Sequence, residues 1–417
     1  MLPGFDVLTP PRHILFVTEF FHPDLCASAV VAADHLTKIA AARPDWRITV
    51  LTSQRAWNSP NTLYPLFEDW EGIKILRVRR SPVSRTSLIR RGWGFIEFGY
   101  QAVRAARALP QVDLVIGTTA PPQGGAIARR IAKQRRCPYI YEVLDLYPDC
   151  AAALRRIKPG GLIERAWRRF DRKVMLDAVG VVTISDPITR RLAQTRGIPG
   201  DCLLTIHDGF DPTRLAPFER NLFKETYNPG GRFVVQYAGN MGLSHPFESI
   251  VAAARLLIED PGILMMFIGE GPQRAVIRAG LAADGLVLDY QPPESLSQIL
   301  ATADLCLISQ HAHMYDKALP YKIYAILAAG RPAIFIGDAR SEIAQWLTRY
   351  GAGIQIDQGQ PEALVALIRE LKNDSPRRKT MSRAARALFD QQFNSTRAAQ
   401  SWIEAIESVL PDGTSQP

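Results

Sequence analysis

Short apolar runs alternate with helix-patterned stretches along the whole chain, and halfway through the alternation begins again. The first series reads as strands at His13–Thr18, Arg47–Thr52, Ile73–Val78, Val112–Gly117, Tyr139–Val143, Gly180–Ile184 and Cys202–Ile206. The second reads as strands at Arg232–Tyr237, Ile263–Ile268, Val287–Asp289, Leu305–Ile308, Pro332–Ile336 and Gly353–Ile356. Runs this apolar, separated by helices, predict parallel sheets covered on both faces. Asp208–Phe218, rich in turn residues, separates the two series. The pattern therefore predicts an α/β protein of two Rossmann-like, doubly wound parallel-sheet domains facing each other across a cleft. Residues 1–210 form the first and 211–394 the second, meeting near 208–215, with a closing helix within 395–417 that packs back on the first domain. Ser395 or Thr396 is the candidate N-cap of that helix. In such folds ligands bind beyond the carboxyl ends of the strands.

Length and composition agree. A chain of 417 residues with 47 % hydrophobic residues has material for two cores and excludes whole-chain disorder. A net charge of +9 favours an anionic partner. Five scattered cysteines without a Cys-x-x-Cys pair argue against a disulfide framework or a zinc site. The N-terminus does not read as a signal peptide, and no run approaches the ~18 apolar residues of a spanning helix. The expectation is a cytoplasmic protein, or one lying on a membrane without crossing it.

The basic residues are concentrated. Arg77–Arg107 holds eight arginines and one acid, Glu97, and Arg155–Lys173 holds eight basic residues. Arg90, Arg91, Trp93, Phe95 and Trp167 are the candidate contacts to an anionic membrane, since interleaved aromatic and basic residues suit that interface. An arginine-rich solvated helix with an aromatic core face is the competing reading. Nothing in the sequence matches a nucleic-acid recognition motif, so no nucleic-acid partner is expected.

Several segments in order resemble the family-4 glycosyltransferases of GT-B fold: Glu19-Phe-Phe-His-Pro-Asp24, His207-Asp-Gly-Phe-Asp211, Tyr237-Ala-Gly-Asn-Met-Gly242, Gly269-Glu-Gly-Pro272 and Leu327-Ala-Ala-Gly-Arg-Pro332. Asp145-Leu-Tyr-Pro-Asp149, Thr118-Thr-Ala-Pro-Pro122 and Pro320-Tyr-Lys-Ile-Tyr324 are similar to the subgroup of N-acetyl-L-fucosamine transferases of O-antigen and capsule assembly. The resemblance implies transfer of a sugar from a nucleotide diphospho-sugar, UDP-linked, with retention at the anomeric carbon and without a cofactor or metal. It implies a polyprenyl-diphosphate-linked or other glycan acceptor and a place on the inner face of the plasma membrane. Asn240 and His245 stand where the family usually has Arg and Lys, and Lys317 and Ala325 where many members have glutamates. A nucleotide-sugar 2-epimerase, or a non-catalytic nucleotide-sugar-binding partner of an assembly complex, are the alternative readings.

A departing nucleotide diphosphate gains negative charge, which backbone amides, helix N-termini and cations can meet. The candidate donor residues are Gly239, Asn240 and Gly242 in a strand–glycine–helix junction, with His245 as a potential cation beside the phosphates. Lys322, in the first turn of a helix where a lysine opposes the dipole, reads either as an anion contact or as a solvated side chain. Lys317 and Arg274 are further candidate cations, and Glu342 is either a first-turn carboxylate favoured by the helix dipole or bonds a ribose or sugar hydroxyl. Asp145 is the candidate catalytic residue, orienting the acceptor hydroxyl or taking its proton, against an Asx turn before Pro148. Asp149 is expected to face the cleft with it, and Glu142 reads as a satisfied structural carboxylate.

Overall fold

The computed structural model describes residues 11–57, 59, 61–81, 88–281 and 285–410. The first sheet contains β1 (Arg12–Val17), β2 (Trp46–Ser53), β3 (Phe67–Trp70), β4 (Ile73–Val78), β5 (Leu114–Thr118), β6 (Tyr139–Val143), β7 (Gly180–Thr183) and β8 (Leu203–Thr205). Its spatial order is β3-β4-β2-β1-β5-β6-β7-β8. The second sheet contains β9 (Phe233–Ala238), β10 (Ile263–Ile268), β11 (Leu286–Leu288), β12 (Leu305–Ser309), β13 (Ala333–Ile336) and β14 (Gly353–Ile356), ordered β11-β10-β9-β12-β13-β14. The strand order reverses between β1 and β5 in one sheet and between β9 and β12 in the other. These are the switch points where a doubly wound sheet opens a crevice.

One pairing departs from the all-parallel expectation: β3 runs antiparallel to β4. The strands meet through Glu71 and Gly72, whose φ angles of 49° and 77° are the paired positive values of a tight hairpin turn. This edge strand is charged and its Phe67 is 75 % exposed, so no apolar run announces it.

Alternate strand residues supply the two faces of the first sheet. Leu15, Val17 and Val115 pack with Phe98, Ile131 and Met175 from the helices Leu88–Ala105, Gly124–Arg135 and Leu162–Leu176. Ile14, Phe16 and Leu114 point the other way, against Leu36 and Ile39 of the helix Ala27–Ala42 and Trp402, Ile403 and Ile406 of the helix Ser395–Val409. Each fully buried aliphatic or aromatic side chain stabilises by ~1.5–3 kcal/mol. The closing helix is thus part of the first domain's core, although it follows the second domain in the chain. The chain crosses between domains where Phe210 N–H donates to the Phe393 carbonyl (2.9 Å) and Ser395 N–H to the Phe210 carbonyl (3.1 Å). Gly209 makes this approach possible: it has φ +67°, and a Cβ there would lie 2.7 Å from the Phe393 oxygen.

The N-cap of the closing helix is Asn394, one residue before the expected Ser395 or Thr396. Its side-chain oxygen accepts from Thr396 N–H at 2.9 Å, and Ser395 is already helical. Asn394→Ala is expected to cost about 1 kcal/mol, the usual value of such a cap. A urea titration followed by circular dichroism should show a lower midpoint at unchanged slope; an unmoved midpoint would deny the cap any role. Among the described residues no helix is long and apolar enough to cross a membrane.

Candidate active site

Two glycine turns interlock at the carboxyl ends of β9 and β10. Gly239 N–H donates to Ile268 O (2.9 Å) and Met241 N–H to Glu270 O (2.7 Å). A Cβ on Gly269 would lie 2.2 Å from Gly239 O, so the close approach requires glycine. Gln273 ties the loop down, its Nε2 donating to Gly242 O and His245 O, each at 2.6 Å. Asn240 is exposed at the tip, with its carbonyl held by Tyr237 Oη at 2.9 Å. Five residues separate this turn from the next helix, Glu248–Leu256, so Gly239–Gly242 does not itself open a helix.

Lys322 begins the helix Lys322–Ala328 and turns toward this loop. Its Nζ lies 3.3 Å from the centroid of the Tyr237 ring and 3.2 Å from where a Cβ on Gly239 would stand. The residue as a whole is half-buried, but Nζ is sealed from solvent and has no hydrogen-bond partner. This excludes the solvated-lysine reading. Loss of hydration pushes its pKa well below the ordinary lysine value, against an opposing pull from Cys306. His245 stands beside it. Its Nδ1 lies 2.6 Å from Ser309 O, and because a carbonyl only accepts, that nitrogen carries the proton. Burial, followed by repulsion from Lys322, lowers the imidazole pKa to about 3. The expected cation is therefore a neutral imidazole in the unliganded protein.

The other donor candidates are not gathered here. Lys317 is spent elsewhere, its Nζ donating to His313 O (2.6 Å) and Asp316 (2.5 Å). Its own carbonyl receives Leu146 N–H of the first domain at 2.8 Å, which makes it a domain-contact residue. Arg274, which opens the helix Arg274–Gly280, pairs with Asp289 just after the edge strand β11. Glu342 opens the helix Glu342–Tyr350 and is buried against the first domain. Its carboxylate accepts from Asp186 N–H (3.3 Å), at the start of the helix Asp186–Arg196, and from His207 Nε2 (3.1 Å). Glu342 thus joins the domains and is occupied, where a sugar hydroxyl was one expectation. Burial pulls the His207 pKa down, but Glu342, Asp186 and Asp208 outweigh it and leave the value raised.

The first domain contributes a group of acids at the end of β6. Thr119 Oγ1 accepts from Leu144 N–H (2.9 Å) and Asp145 N–H (3.1 Å), fixing the backbone that presents Asp145. The Asp145 side chain is exposed to the cleft and takes no backbone N–H, so the Asx turn is not formed. Surrounding protein raises its pKa to about 6, and water access in the open cleft moderates that lift. Behind it, Asp208 is raised to about 7 by burial, and Glu142 to about 8 by burial and by Asp208. Neither carboxylate accepts a side-chain or backbone hydrogen bond among the described residues, yet neither has an oxygen sealed without a partner. Sequence reasoning missed this pair; the only signal was an acid inside the otherwise uncharged strand Tyr139-Ile-Tyr-Glu-Val143.

Asp149 does not face the cleft. It is 2 % exposed and bound by Arg168, Arg191 and Arg196. Arg191 also reaches Asp316 of the second domain at 2.8 Å. Burial alone would raise the Asp149 pKa, but the guanidinium groups overcome it and hold it below the usual carboxylate range. Among the described residues no cluster of three His, Cys, Asp or Glu side chains is placed to hold a metal.

Within the basic-aromatic segments, the helices Leu88–Ala105 and Leu162–Leu176 pack on one face of the first sheet. Trp93, Ile96 and Tyr100 are 63–68 % exposed, and Leu162, Ile163 and Phe170 51–83 %. Phe95, in contrast, is half-buried beneath Arg80, and Trp167 stacks on Tyr147 with ring centroids 5.9 Å apart. Both belong to the packing. Arg90 and Arg91 lie on the helix Leu88–Ala105, but their side chains are outside the described residues.

Two parallel-sheet domains, a glycine turn with a sealed lysine on one side and acids on the other define the GT-B class of fold. The chain matches the "Glycosyl transferase 4-like domain" family over residues 29–209 and "Glycosyl transferases group 1" over residues 218–388. It belongs to the family-4 glycosyltransferases. WcaI of Escherichia coli (strain K12), named as a colanic acid biosynthesis glycosyl transferase, is 24 % identical over 51 % of this chain and 54 % of its own length. WbjE of Pseudomonas aeruginosa, named as a glycosyltransferase, is 27 % identical over 34 % of this chain and 36 % of its own. The chain thus spans about half or less of these curated relatives. Among solved structures, Anabaena HepE in complex with UDP and glucose superposes with a TM-score of 0.69 at 16 % identity, covering 95 % of this chain and all of that one. The lipopolysaccharide-biosynthesis glycosyltransferase WaaG has a TM-score of 0.65 at 14 % identity, covering 95 % and 100 %. These two likenesses concern the fold.

Proposed function

We propose that the chain moves a sugar from a UDP-linked donor, held by the second domain, to a lipid-linked glycan acceptor during cell-surface polysaccharide assembly. The observation that carries this reading is Lys322: a sealed, unpartnered amine beside an open glycine turn at the switch point of the second sheet. An unpaired buried amine is costly to the fold. A donor diphosphate would supply its missing partner and draw a proton onto it. As the glycosidic bond breaks, the leaving diphosphate gains charge where that cation stands. Asp145 would orient the acceptor hydroxyl or take its proton. The fucosamine-type donor and retention at the anomeric carbon are proposed on resemblance alone.

The acceptor side rests on the helices Leu88–Ala105 and Leu162–Leu176. Their exposed apolar residues alternate with exposed Arg104, Arg165, Arg169 and Lys173, as suits the inner face of an anionic membrane. Each such cation contributes roughly 1 kcal/mol at an anionic surface, an attraction that decays within a Debye length. Cosedimentation with phosphatidylglycerol vesicles is expected at low salt, to weaken as salt rises, and to fall on Arg165→Glu with Arg169→Glu while UDP binding holds. In the same preparation, turnover of a UDP-sugar with membrane lipid acceptor should survive a chelator. Absence of vesicle binding at low salt would sink the membrane part, and absence of turnover the transferase part.

A further inference from the structure

A cavity of about 570 Å³ opens at the domain junction, one turn of chain below Asp145. Its walls come from both domains: Arg155, Arg168 and Arg191 from the first, His313 and Lys317 from the second. Three acids lie in or beside it, and each is already claimed. Asp149 is held by Arg168, Arg191 and Arg196, Glu164 by Arg168, and Asp316 by Arg191 and Lys317. Four cations line the cavity, Arg155, Arg168, Arg191 and Lys317, against the three carboxylates. Arg155 is the surplus: it is exposed, and its guanidinium has no partner among the described residues. Consistent with excess positive potential, the His313 pKa is lowered by burial and then by His311, Lys317 and Arg155. Between Gly160 and Glu164 of the lining, the chain carries Leu162 and Ile163, which stand 83 % and 69 % exposed. A cationic chamber thus adjoins an uncovered apolar step.

We propose that this cavity seats the diphosphate linker of a polyprenyl-diphosphate-linked acceptor, with the apolar chain leaving across Leu162 and Ile163. The inference rests on the lipid-linked acceptor reading and gives that acceptor its binding site. Charge complementarity selects a phosphate-bearing group, and the adjoining apolar step selects an amphiphile over a free anion. The site is also close to the chemistry. Leu146, the residue after Asp145, donates its N–H to the carbonyl of Lys317, so the cavity wall and the Asp145 backbone are fastened together across the domains. Because both domains build the wall, the site exists only with the domains in this arrangement.

Arg155 allows a test that leaves the fold in place. Its φ is +53°, a left-handed conformation that glycine adopts freely, so Arg155→Gly removes the charge and suits the backbone. Calorimetry on the full chain should detect binding of farnesyl diphosphate, weaker binding of inorganic diphosphate and none of farnesol. Arg155→Gly should weaken farnesyl diphosphate about tenfold, as expected for one lost charge-assisted contact, with UDP affinity and thermal midpoint unchanged. Inorganic diphosphate binding as tightly as farnesyl diphosphate would mean a simple anion site and overturn the proposal. Equal affinity of the variant would overturn it as well, and so would loss of UDP binding, which would assign the cavity to the donor. If vesicle binding and lipid-acceptor turnover hold while farnesyl diphosphate fails to bind, this inference falls and the transferase reading stands.

Discussion

Asp149→Ala is expected to destabilise the first domain by about 3–5 kcal/mol, the range for removing one partner of a buried ion pair. Asp149 is the common acceptor of three guanidinium groups, and Arg196 has a fully buried side chain. Without the carboxylate, Arg196 keeps only Asp171 among the described acids, 4.0 Å away. Burial holds the Asp171 pKa at about 7 despite Arg196, so much of that group is protonated near neutral pH and compensates poorly. Urea unfolding read by fluorescence should show the first domain melting early, as a separate transition if the domains uncouple. Pairing the change with Arg196→Met should recover part of the loss, since a buried charge without a partner costs more than an apolar replacement. A loss under about 1 kcal/mol for Asp149→Ala alone would mean that water reaches the cluster. The pH dependence has a definite sign. The Asp149 pKa is depressed in the fold, so its contribution is present above the unfolded carboxylate pKa and is lost as pH falls through the depressed value.

The strands were legible because a strand buried on both faces must be largely apolar: β10 is apolar throughout, and β1, β5 and β12 carry polar residues only at their ends. The edge strand β3 was not, because one open side lets it carry Glu68 and Asp69. Side-chain roles were harder to read for the same reason in each case: the deciding partner lies far away in the chain. Asp145 and Asp149 look alike as acids flanking Leu-Tyr-Pro, and only the arrival of Arg168, Arg191 and Arg196 makes one a buried anchor and leaves the other in the cleft. Glu342 read as a first-turn acid, and it does open its helix, but the N–H it accepts belongs to Asp186, 156 residues earlier. For Lys322 the local conflict with the helix dipole singled out a lysine that proves to be sealed rather than solvated. Its seal by Tyr237 was invisible, because the ring reaches it from β9.

Lys322→Met is expected to weaken UDP-sugar binding by about 1–3 kcal/mol, or roughly tenfold to a hundredfold, the loss for a charge-assisted contact. The same change should leave the fold as stable or more stable, because it replaces an unpartnered buried amine with an apolar chain of similar length. Weaker binding without weaker folding separates a donor contact from a core residue. The protonation state adds a second signature. Burial holds Lys322 well below the ordinary lysine pKa, and His245 is lowered to about 3, so the free site carries less charge than its side chains suggest. A bound diphosphate favours the charged form of both, which means that binding takes up protons. Affinity should therefore fall as pH rises through the interval between the free and bound pKa values. Calorimetry of UDP binding at pH 7 in buffers of differing ionisation enthalpy should report net proton uptake, and Lys322→Met should reduce it. An unchanged donor affinity in that variant, or an enthalpy independent of buffer in the native protein, would remove the lysine from the phosphate site and leave the Gly239 turn to hold the diphosphate through its amides alone.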